Sequence, residues 1–154
     1  MRGHCAAISS TSTEILFKSK RSPGAALESL SVAFLTKQGT STNCNAAELM
    51  RRAFTQLQLP VSIPRTLPAI RTGKRKGLWS DLPDALTRVL HQLVHPKRHV
   101  NIKLRTGVPI VWNIAQWYIE LVVLRLSGYQ HIYSIRIDCA TAGAGEVERV
   151  PWRH

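Results

Sequence analysis

Pro109-Ile110-Val111-Trp112-Asn113-Ile114-Ala115-Gln116-Trp117-Tyr118-Ile119-Glu120-Leu121-Val122-Val123-Leu124-Arg125-Leu126 has two readings, and the choice between them decides the fold. Ile110, Val111, Ile114, Trp117, Tyr118, Leu121 and Val122 recur at helical spacing and would form one apolar stripe. The same stretch is dense in β-branched and aromatic residues, which favours strand. Read as strands, it makes an antiparallel meander; read as a helix, it crosses between two strands as a βαβ unit. Periodicity tips the reading toward the helix. A spanning helix needs about 20 predominantly apolar residues, and Asn113, Gln116 and Glu120 interrupt the run, so no transmembrane helix is expected.

On either side the pattern has period two. Val100, Ile102 and Leu104 alternate with Asn101, Lys103 and Arg105, and Tyr133, Ile135 and Ile137 alternate with Ser134, Arg136 and Asp138. These stretches predict a small C-terminal sheet from about 100–105 and 131–138, with Ser127-Gly128-Tyr129-Gln130 as the turn before the second strand.

The N-terminal half reads as helical. Ser22-Pro23 suits a cap and first helical residue, Leu27, Leu30, Phe34 and Leu35 follow at helical spacing, and Gly39 sits where a terminating glycine belongs, giving a helix over about 23–38. Asn45 and Glu48 resemble a capping box ahead of the stripe Leu49, Met50, Ala53, Phe54 and Leu57, giving a helix over about 46–58. Asp81 to Pro96 predicts a third, over about 82–95, with Leu82, Leu86, Val89, Leu90, Leu93 and Val94 on its apolar face. Between the last two, Pro60, Pro64 and Pro68 punctuate the chain and Gly73 and Gly77 bracket Lys74-Arg75-Lys76, which reads as an exposed, extended basic loop over 60–78. The expected fold class is therefore α+β. It comprises one compact domain over 13–139 with loose tails at 1–12 and 140–154, and Thr13 to Lys18 as a short strand.

Charge carries the functional signal. Between positions 65 and 105 ten basic residues face only Asp81 and Asp84, so this segment holds +8 of the chain's formal +12. A field so strong and so localised points to a polyanionic partner, nucleic acid or an anionic membrane surface. Arg71, Lys74, Arg75, Lys76, Lys97, Arg98, Lys103 and Arg105 are the candidate phosphate contacts, without sequence readout and with RNA as the expected nucleic acid. Trp79 and Trp112 are candidate stacking platforms for unpaired bases, set against the ordinary packing role of aromatics. Lys74-Arg75-Lys76 also fits a nuclear import signal. A small basic chain with hydroxyl-rich stretches has the style of a viral accessory or matrix-type protein, and self-association is left open.

Catalytic and metal patterns fail on inspection. His91, His95 and His99 have the i, i+4, i+8 spacing of a ligand set, but Pro96 breaks the helix that would align them. Gly73-Lys74 echoes a phosphate-binding loop, yet Pro68 stands in for its first glycine and Arg75 for its magnesium-binding hydroxyl. Cys5, Cys44 and Cys139 are odd in number and far apart, which suggests reduced thiols in a cytoplasmic or nuclear compartment, and no apolar leader indicates secretion. The expectation is a non-enzymatic protein without cofactor.

Leu82-Pro83-Asp84-Ala85-Leu86, followed by Val89-Leu90 and Leu93, resembles the opening helix of an F-box. That resemblance covers about a tenth of the chain, and it implies a protein-interaction adaptor that docks Leu82, Leu86 and Leu90 on a ubiquitin-ligase subunit. A third reading lays the Ile110–Val122 stripe, with Trp112, Trp117 and Tyr118, on an anionic membrane.

Overall fold

The computed structural model describes residues 23–94, 104–134, 137 and 147–152. In chain order they form α1 (Pro23–Lys37), α2 (Ala46–Gln56), α3 (Pro68–Arg75), α4 (Leu82–Val94), α5 (Leu104–Leu126), β1 (Ile132–Ser134) and β2 (Val147–Arg149). The fold is α+β, with a helical N-terminal half and a small two-stranded antiparallel sheet near the C-terminus.

The ambiguous stretch is helical, and its stripe is the floor of the core. Val111, Ile114, Ala115, Trp117, Tyr118, Leu121 and Val122 are all buried. α1 packs on α2 and α5, while α4 packs on α2 and α5. Tyr118 stacks on Phe54 of α2 with ring centroids 4.2 Å apart, and its hydroxyl donates to the Pro60 carbonyl. Burial on this scale overrides the strand propensity of the β-branched residues, because each large side chain removed from water contributes about 1.5–3 kcal/mol.

Four of the five helices end in the same way. The chain turns through a left-handed residue, and the next amide reaches back to the last helical turn. At the end of α2 that residue is Gln58 (φ 59°), with Leu59 N–H donating to the Phe54 carbonyl at 2.8 Å. α2 therefore stops at Gln56, short of the expected 58. Asn45 caps its start by accepting from Glu48 N–H at 2.9 Å. The Glu48 carboxylate does not complete the capping box; it bonds Arg51 and Arg52 instead. Asp81 caps α4 by accepting from Asp84 N–H, and the Asp84 carboxylate accepts from Ser80 N–H, both at 2.9 Å.

Three expectations are corrected. The 60–78 stretch is not one extended loop, because Pro68 opens α3 at a position where its missing N–H costs nothing. The strand expected over 100–105 fails at Leu104 and Arg105, which are the first residues of α5; positions 100–103 lie outside the described residues. Finally, the partner of β1 comes from the expected C-terminal tail. Ile132 pairs with Arg149, Tyr133 with Glu148 and Ser134 with Val147. Val150 (1 % exposed) and Trp152 (5 %) are core residues, and the Trp152 indole donates to the Tyr129 carbonyl at 2.8 Å. A short segment holding two large apolar side chains gains more by burial than it loses by ordering. The tail expected at 1–12 and the strand at Thr13–Lys18 lie outside the described residues.

Among the described residues no helix is long and apolar enough to cross a membrane.

Candidate functional site

α3 is held to the body by its inner face. Leu67, Ile70 and Gly73 are buried, and Trp79, nine residues beyond Ile70, folds back beneath them. The Trp79 indole N–H donates to the Ile70 carbonyl at 2.8 Å. A Cβ placed on Gly73 would lie 1.9 Å from the Trp79 ring, so glycine is required there by the ring's approach. The helix closes through Gly77 (φ +69°), whose left-handed backbone lets Leu78 N–H reach the Gly73 carbonyl at 3.0 Å. Leu82 N–H then donates to the Val61 carbonyl at 3.0 Å, tying the start of α4 to the proline-rich lead-in.

This anchoring turns the basic residues outward. Lys74, Arg75 and Lys76 are exposed, as is Arg65 in the turn before the helix, while Arg71 is half-buried. Arg71 and Arg75 lie one turn apart on one face. Lys74, Arg75 and Lys76 also surround the negative end of the helix dipole, a placement that costs the fold nothing.

Three carboxylates, Glu48, Asp81 and Asp84, are engaged elsewhere. Glu48 binds both Arg51 and Arg52, Asp81 binds Arg51, and Asp84 binds Arg88 at 2.7 Å. Hydrogen bonds from Arg52 and then Arg51 hold the Glu48 carboxyl below its ordinary range. Burial pushes Asp84 up, but the bonds from Arg88 and Ser80 outweigh it and leave the group lowered. Among the described residues, Arg65, Arg71, Lys74, Arg75 and Lys76 have no acidic partner within salt-bridge distance. Both acids that sequence counting set against the cluster, Asp81 and Asp84, are therefore taken by α2 and α4.

The structure brings together Arg71, Lys74, Arg75 and Lys76 on one short element. Arg105 is the second residue of α5, and Lys97, Arg98 and Lys103 lie outside the described residues, as do His95 and His99 of the histidine series. Leu82 and Leu86 are fully buried, and Leu90 is half-buried against Gly24 of α1, so the helix face expected to dock a partner is turned into this chain's own core. Most of the stripe expected at a membrane is likewise interior, with Ile110 and Trp112 half-buried. Arg65 is an addition to the candidate contacts. A signal for α3 itself was present in the sequence: proline just inside its start, glycine just past its end, and a tryptophan in reach of a helical glycine.

A family model of the YopA C-terminal domain matches residues 18–148. The chain belongs to that family. It is similar to the SPbeta prophage-derived uncharacterized protein YopA of Bacillus subtilis (strain 168), with 28% identity over 109 residues. That alignment covers 71% of this chain but 24% of the relative, so the chain spans about a quarter of the length of the protein it matches. No solved structure matches. The viral character expected from the sequence thus holds at the level of a prophage-derived relative. The YopA C-terminal domain match takes in all five helices and β1, and α3 with its basic residues lies well inside it.

Proposed function

We propose that this YopA-type domain is a non-enzymatic binding module that holds nucleic acid through the phosphate backbone, using the α3 surface and no base readout. The observation that carries this reading is the sorting of charge. Arg51, Arg52 and Arg88 are neutralised within the fold, whereas Arg65, Arg71, Lys74, Arg75 and Lys76, on and around one helix, have no carboxylate partner among the described residues. Cations so placed displace condensed counterions from a phosphate chain, the main source of sequence-independent affinity. The peripheral-membrane alternative lacks its apolar half, because the Ile110–Val122 stripe packs inside.

The test is a salt titration of binding to nucleic acid by the full chain. Five phosphate contacts give a log–log slope of about −4 to −5 on duplex DNA, at roughly 0.9 per contact. Lys74→Glu, Arg75→Glu and Lys76→Glu combined should flatten that slope by about 3 and leave the melting temperature nearly unchanged, since all three side chains are exposed. A slope unaltered by the triple variant would place the binding surface elsewhere.

A further inference from the structure

We propose that the α3 surface selects double-stranded over single-stranded nucleic acid. This rests on the nucleic-acid reading of the preceding subsection and names the form of the ligand.

Single strands are held by a basic groove together with aromatic faces on which unpaired bases stack, each stack being worth about 1–3 kcal/mol. The ring nearest α3 in the chain is not available for that. Trp79 is 5 % exposed, its N–H is bonded to the Ile70 carbonyl, and Gly73 lies against its ring. Four further aromatic side chains are engaged in the same manner, while Trp112 on α5, the other candidate platform, is half-buried. Phe54 and Tyr118 stack on each other at full burial, the buried Trp117 indole donates to the Tyr133 hydroxyl at 3.2 Å, and Trp152 packs beneath Arg125.

Apart from its cations, the outer surface of α3 offers little that could read a base. Its exposed residues other than the cations are Pro68, Ala69 and Thr72, and the Thr72 hydroxyl already donates to the Pro68 carbonyl at 2.9 Å. What remains is charge on a rigid element. A surface that recognises only charge follows the charge density of its ligand, and a duplex carries one charge per about 1.7 Å of axis, about twice that of one of its strands. Per contact the duplex also releases about 0.9 counterion against about 0.7 for a single strand. Over five contacts the two salt exponents differ by about one, which is roughly a tenfold preference for the duplex at about 0.1 M salt.

The experiment is fluorescence anisotropy of the full chain with three labelled probes of equal length and mixed sequence: duplex DNA, duplex RNA and an unstructured single DNA strand. Intrinsic tryptophan emission is recorded alongside. The expected result is roughly tenfold tighter binding of the duplexes at about 0.1 M salt, with the steeper slope for duplex, and no stacking-type quenching of tryptophan by the single strand. The DNA and RNA arms separate the two sources of duplex phosphate. Equal or tighter binding of the single strand, or strong quenching by it, overturns the duplex preference and leaves the nucleic-acid reading standing. Absence of binding to all three probes at about 50 mM salt overturns both. Should the triple charge-reversal variant lose its folded signature, Lys74→Gln, Arg75→Gln and Lys76→Gln together repeat the test without added negative charge; a duplex preference that survives in the folded variant also counts against α3.

Discussion

α2 and α3 are both short helices rich in arginine or lysine, yet one is electrically closed and the other is not. On α2, Arg51 and Arg52 share Glu48, and Arg51 reaches across to Asp81 at the start of α4. On α3, Arg71, Lys74 and Arg75 meet no acid at all among the described residues. The first arrangement joins two helices; the second contributes nothing to cohesion beyond a favourable placement at the helix end. Basic residues of the same kind therefore do opposite work, and the carboxylates decide which. A count of charges along the chain cannot make this distinction, because Asp81 and Asp84 sit in the basic segment while serving Arg51 and Arg88.

The comparison requires that α3 be held without ion pairs, by the packing and indole hydrogen bond of Trp79, and this gives the largest expected effect. Trp79→Ala removes the ring under Gly73 and leaves the Ile70 carbonyl without its indole donor. The expected cost is about 3–5 kcal/mol, read by urea unfolding, with polyanion affinity weakened because the cations lose their fixed geometry. Gly73→Ala should show the same direction. If Trp79→Ala proved neutral in stability, α3 would be held by something other than this ring.

A smaller change crosses the two regions. Asp81→Asn keeps a side-chain oxygen to cap α4 at Asp84 N–H but removes the charge that binds Arg51. Stability should fall by less than about 1 kcal/mol, as for a partly exposed pair. Nucleic-acid affinity should rise slightly, because Arg51 is then shared only with Glu48. A drop in affinity would mean that Asp81 supports the binding surface directly.

Much of this was legible in the sequence, but unevenly. Helical spacing located α1, α2 and α4 within a residue or two, since each has a cap and an apolar stripe that agree. α5 was decided by periodicity against propensity, and burial of Tyr118 and Leu121 explains why periodicity won. α3 was obscured because its opening proline and its glycine are also the marks of a loop; only Trp79 at its back, a tertiary contact, makes Gly73 a helical residue. β2 was obscured because Val147-Glu148-Arg149 has too little pattern to be a strand without Ile132-Tyr133-Ser134 beside it. The cations of the site were legible, whereas their lack of acidic partners among the described residues was not, because pairing is decided in space.

The smallest expected effect concerns acid. Glu48 and Asp84 titrate below their ordinary values of 4.5 and 3.8, Glu48 because Arg52 and Arg51 hydrogen-bond its charged form, and Asp84 because Arg88 and Ser80 outweigh its burial. Lowered folded values mean that the unfolded chain takes up protons first. The stability these groups contribute is complete above their ordinary values and is lost as pH falls through the folded ones. The pairs are partly solvent-exposed, so the total is below about 1 kcal/mol for each. The melting temperature of the wild-type chain should therefore decline between about pH 5 and pH 3, the carboxylate range, and Glu48→Gln with Asp84→Asn should flatten that decline. The α3 surface should behave differently: with no carboxylate partner to lose among the described residues, the triple variant Lys74→Gln, Arg75→Gln and Lys76→Gln, which adds no acid of its own, should melt with the same pH dependence as wild type. If instead the triple variant altered the acid profile, its cations would be coupled to carboxylates of the fold, and the electrical separation between α2 and α3 would not hold.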